Sequence, residues 1–122
     1  MYPGVTSSNG PNYVDFLTTT YNASYIQTYN FGFGGATIDP NLVESAFGLS
    51  VQSFEQQVTN EFDPDYAEKV IVPWTSANSL FTVFFGINDV IRSYTEQSSL
   101  LNYALIKTYE DLVHSVSLMR KQ

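Results

Sequence analysis

Residues 80–86 read LFTVFFG, a short apolar run closed by a glycine, and residues 87–90 continue as INDV. Seven residues are too few for a membrane span. Their aromatic and β-branched content fits a strand covered on both faces, as in a parallel sheet. Working outward, SYIQTYNF (24–31) is β-branched and aromatic, stops at glycines and reads as a second strand. A helix is expected through PNYVDFLTTTY (11–21), with Val14, Leu17, Thr18 and Tyr21 on one face and the turn-rich first ten residues as loop. Residues 32–49 read as loop, and Ser50 is expected to cap a helix over VQSFEQQVTNEF (51–62), with Val51, Phe54, Val58 and Phe62 inward. DPDYAEKVIVPWTSANS (63–79) reads as irregular, with Pro64 and Pro73 as breakers. A long helix over roughly 97–119 is expected to bury Leu101, Leu105, Leu112, Val116 and Met119. Helix and strand alternate, which predicts a layered α/β domain with parallel strands. Two strands are few for such a sheet, so residues 1–122 read as one incomplete domain.

Composition narrows the partners. The chain has 43% hydrophobic and 16% aromatic residues, too apolar for disorder. Its net charge of −7 disfavours nucleic acid and anionic membrane surfaces. It has no cysteine, which excludes a disulfide, a thiolate metal site and a cysteine nucleophile. No basic-then-apolar leader follows Met1. The triplet NAS at Asn22–Ser24 is a glycosylation acceptor only in a secreted protein.

Two stretches carry polar chemistry amid apolar sequence. In YNFGFGGATID (29–39), glycines after the expected strand allow a sharp turn and bring a backbone amide near a ligand. The bland alternative is a tight turn that needs positive φ. The stretch has neither spelling of a phosphate loop. In GIND (86–89), an Asn at the end of a strand is placed to donate to a developing oxyanion, or Asn88 or Asp89 simply caps a helix.

Taken together the stretches resemble the SGNH, or GDSL-type, hydrolases, serine esterases and lipases on a flavodoxin-like three-layer α/β/α sandwich. NFGFGGATID resembles the second conserved block of that family, and GIND resembles the third, Gly-x-Asn-Asp. YPGVTSSNGPNYVDFLTTTYNASY is similar in spelling to the fungal carbohydrate esterase family 16 acetylesterases, and the resemblance spans about residues 2 to 117. It implies a partial sandwich lacking its first and last elements. It further implies a secreted, extracellular acetylesterase acting on a small or carbohydrate ester, with no metal and no cofactor. It places the oxyanion hole at the Gly35 amide and the Asn88 side chain, with Gly86 and Asp89 in support.

Other parts of that pattern are missing. No Gly-Asp-Ser occurs among the 122 residues. Asp111-Leu-Val-His114 spells the family's Asp-x-x-His, but inside an expected helix, and reads as coincidence with both side chains in water. Ser7, Ser8, Ser24, Ser45 and Ser50 have no base nearby in sequence and none is nominated as nucleophile. The chain is therefore expected to be inactive alone, and apolar strands with open edges make non-specific self-association an expectation too. The competing reading is a non-catalytic sugar-binding or interaction module that stacks sugars on Tyr13, Phe33 and Trp74.

Overall fold

The computed structural model describes residues 6–7, 9–67 and 72–119. The expectations for Pro3, Gly4 and Ser8, and for the Met119 side chain, lie outside the described residues. The chain divides into two compact units, Met1–Phe31 and Gly32–Gln122.

In the first unit α1 spans Tyr13–Thr19. Asn12 caps it: its Oδ1 accepts the N–H groups of Val14 at 2.9 Å and Asp15 at 3.2 Å. The buried Asp15 answers by accepting the Asn12 N–H at 2.8 Å, which completes a capping box. The expected inward face is not realised, because Leu17 and Tyr21 are exposed. What holds the following chain is polar: Thr18 and Thr28 share a hydrogen bond of 2.6 Å.

In the second unit α2 (Phe54–Gln56) runs directly into a π-helix (Gln57–Ala67), followed by α3 (Ile87–Ser93) and α4 (Ser99–Met119). The helix after residue 50 begins later than expected, because Ser53 rather than Ser50 is the cap. Its side chain accepts the Gln56 N–H at 3.2 Å, while Gln56 Oε1 accepts the Ser53 N–H at 3.0 Å. Pro64 does not break this helix, which continues to Ala67. The π form bonds each residue to the fifth before it, so its wider turn suits a ring that would crowd an α-helical carbonyl.

The core lies between α4, the π-helix and the extended residues 80–85. Ile38, Val43 and Leu105 form one cluster; Phe54, Val58 and Val116 form another. Phe85 packs on both and stacks on Phe54 with ring centroids 4.7 Å apart. The expected α4 stripe is realised at Leu101, Leu105, Leu112 and Val116.

The expected α/β sandwich is not found. Among the described residues there is no strand and no sheet, only helices and extended or turning chain. A strand is a ladder, and without a neighbour an extended segment has none. Residues 24–31 lack helix and strand alike, with Tyr25 and Ile26 exposed. Residues 80–85 are extended but covered on one face only, with Phe81, Val83 and Phe85 inward and Leu80, Thr82 and Phe84 outward. The aromatic and β-branched content specified an extended backbone. It did not specify a partner.

Candidate active site

Residues 35–38 form a loop whose four carbonyls each accept a hydrogen bond from a different partner. Ser45 Oγ donates to the Gly35 carbonyl at 2.9 Å, and Asn88 Nδ2 donates to that of Ala36 at 2.9 Å. The Phe54 and Glu55 N–H groups, at the start of α2, donate to Thr37 at 2.9 Å and Ile38 at 3.1 Å. These two amides are among the donors that a helix N-terminus leaves without intrahelical partners. From the other side, the Ile38 N–H donates to Asp89 Oδ1 at 3.0 Å. The 29–39 and 86–89 stretches, fifty residues apart in sequence, are thus joined side chain to backbone.

Gly35 has φ +84°, which favours glycine, and its N–H makes no hydrogen bond among the described residues. The exposed Phe47 ring lies against its α-carbon, where a Cβ would collide with it. The Ser45 hydroxyl fixes this corner by also accepting the Phe47 N–H at 3.2 Å. Ser45 therefore has a structural task that sequence reading missed. The signal was a serine two residues before the amide it binds, the pattern of a serine turn. With Asn88 Nδ2 at 2.9 Å from the Ala36 oxygen, one peptide unit away, it lies within about 9 Å of the Gly35 α-carbon. Its second N–H makes no other hydrogen bond among the described residues.

Gly86 is the N-cap of α3 with φ +109°, and a Cβ there would meet open space. Glycine is required for conformation and not for close approach. Neither Asn88 nor Asp89 caps the helix; both lie in its first turn, where an acidic residue also favours the helix dipole. Asp89 is 1% exposed. Burial pushes its carboxyl above the usual carboxylate range, opposed by the hydrogen bond from Ile38. Its Oδ2 is buried without a partner.

Other nominated residues lie elsewhere. Asp111 pairs with Lys107 one turn away on α4, and both Asp111 and His114 are exposed, as the coincidence reading expected. Trp74 is buried against Phe62 and Phe81, with its indole N–H donating to the Tyr66 carbonyl at 2.8 Å. It is a core residue and not a stacking surface for sugars. A cleft of about 110 Å³ is lined by Phe81, Val83, Val113, Val116 and Ser117, none of them a nominated site residue. Among the described residues no three acidic or histidine side chains are grouped to hold a metal ion, and no helix is long and apolar enough to cross a membrane.

The sequence pattern of the GDSL-like lipase/acylhydrolase family matches residues 1–119. The chain belongs to this family. It is 41% identical over 96 residues to an acetylesterase of Thermothelomyces thermophilus, covering 74% of this chain and 30% of that enzyme. It is 27% identical over 115 residues to an acetylesterase of Hypocrea jecorina, covering 92% of this chain and 32% of that enzyme. The GDSL-family chain thus spans about a third of the length of the curated relatives it matches. No solved structure matches it significantly.

Proposed function

We propose that these residues form the oxyanion-binding part of a secreted serine esterase that removes acetyl groups from carbohydrate esters. The supporting observation is the Asn88–Ala36 hydrogen bond, which holds a side-chain amide one peptide unit from a glycine whose own N–H makes no hydrogen bond among the described residues. In such a reaction a serine Oγ adds to the ester carbonyl carbon, and the C=O electron pair becomes an oxyanion. The Gly35 N–H and the remaining Asn88 N–H are the donors for that oxygen. Collapse expels the sugar hydroxyl, and water then releases acetate from the acyl-serine. Loss of one oxyanion donor typically costs about 3–4 kcal/mol of transition-state stabilisation. Asp89 and Ser45 are positioning residues: they hold the loop and do not touch substrate. The names of the two similar acetylesterases support the acetyl ester as substrate.

The 122 residues bring these donors without a Gly-Asp-Ser, and Asp111 is engaged by Lys107. The chain by itself is expected to hydrolyse p-nitrophenyl acetate no faster than its Asn88→Ala variant, with no burst. A stoichiometric burst with a trapped acyl-serine contradicts this half of the proposal and points to a nucleophile within residues 1–122.

A further inference from the structure

Phe47 is 71% exposed, yet one edge of its ring lies on the backbone of Gly35. A Cβ built on Gly35 would stand 2.3 Å from the ring's Cδ2 and 2.7 Å from its Cε2. Burial does not account for this contact, because most of the ring stays in water. The backbone that carries the ring is nonetheless held. Ser45 Oγ accepts the Phe47 N–H at 3.2 Å while donating to the Gly35 carbonyl at 2.9 Å, so one hydroxyl ties the two residues together. The Gly48 N–H closes the same turn by donating to the Ser45 carbonyl at 3.2 Å.

We infer that Phe47 sets the size of the acyl group, as a wall beside the oxyanion site. The inference rests on the reading of Gly35 and Asn88 as oxyanion donors. With the ester's carbonyl oxygen held at the Gly35 N–H, the acyl methyl lies two bonds from that oxygen and the first carbon of the alcohol lies three. The ring already touches the Gly35 α-carbon, which adjoins that N–H, so the nearer substituent is the methyl. An aromatic edge offers no hydrogen bond to sugar hydroxyls but packs well on a methyl. Each further methylene of a longer acyl chain meets the ring, and the Ser45 turn keeps the Phe47 backbone from withdrawing. Selection for acetyl then comes from crowding at one side chain.

The test titrates the isotope-labelled 122-residue chain with methylphosphonate and with n-butylphosphonate, read at the Gly35 N–H and the Asn88 side-chain NH2. The two anions share a tetrahedral head and differ in chain length. Methylphosphonate is expected to bind about tenfold more tightly, the cost typical of crowding a packed contact. Its methyl is expected to give a nuclear Overhauser contact to the Phe47 ring. Phe47→Ala is expected to bring the two Kd values within about twofold of each other, and Phe47→Leu to fall between. Phe47 is exposed, so neither change opens the core, and retained helical circular dichroism serves as the folding control. A ring with a merely structural task would change both Kd values by the same factor and leave their ratio alone. Equal binding of the two phosphonates by the parent chain, or a ratio that Phe47→Ala leaves unchanged, overturns the inference and spares the oxyanion reading. Gly35 and Asn88 signals that respond to neither phosphonate overturn both.

Discussion

Asp89 Oδ1 accepts the Ile38 N–H at 3.0 Å across fifty-one residues of sequence, and through it the first turn of α3 fixes the end of the glycine-rich loop. The bond is buried, so its two groups differ in what removal costs. Asp89→Ala strands a buried N–H and is expected to lose about 1–3 kcal/mol in denaturant unfolding. Asp89→Asn keeps an acceptor and is expected to lose less.

The same carboxylate gives a pH dependence. Burial raises Asp89, and burial also raises Asp63, whose Oδ1 lies buried without a partner. A folded-state value above the unfolded one means that the folded chain holds its proton to higher pH. The ionised group therefore costs stability at neutral pH, and the cost fades as pH falls toward the unfolded value near 4. The stability of Asp89→Asn relative to the parent is expected to be higher at pH 7 than at pH 4. Thermal melts at the two values measure it.

Capping offers a paired comparison. Ser53→Ala is expected to cost about 1 kcal/mol, because Ser53 and Gln56 satisfy each other's backbone N–H groups at the start of α2. Ser50, with only a long 3.5 Å contact to the Phe47 carbonyl, is expected to change stability by less than about 0.5 kcal/mol on the same substitution.

Phe54→Ala is expected to be the most damaging single truncation among the core residues named here. The ring is buried, stacks on Phe85 and tilts against Tyr109, and its loss is expected to cost about 3–5 kcal/mol. Its backbone N–H also binds the Thr37 carbonyl, so a loosened Phe54 would carry into the loop. Chemical denaturation together with the Gly35 amide signal would detect both effects.

Sequence periodicity revealed the parts of this molecule whose structure is local. The α4 stripe from Leu101 to Val116 follows from helical spacing, whereas the Leu80–Phe85 run, expected to be covered on both faces, is covered on one face only. The Ser-Phe-Glu-Gln spelling of the α2 cap stands in the sequence too, three residues beyond the expected cap Ser50. What could not be read locally was pairing. A run such as LFTVFFG states that it will be extended, while a sheet requires a neighbour that the run does not encode. The site was legible only through family spelling. Nothing in the spacing of GGAT and GIND shows that Asn88 reaches the carbonyl of Ala36 or that Ser45 anchors Gly35.

The oxyanion assignment is tested most directly by proton–nitrogen NMR of the labelled chain during titration with methylphosphonate, a tetrahedral anion with the charge of the intermediate's oxygen. The Gly35 backbone N–H and the Asn88 side-chain NH2 are expected to shift together on one binding curve. Asn88→Ala is expected to reduce the Gly35 shift to that of an ordinary surface amide. Gly35 and Asn88 signals that stay still while others move, or that follow different curves, would contradict the assignment.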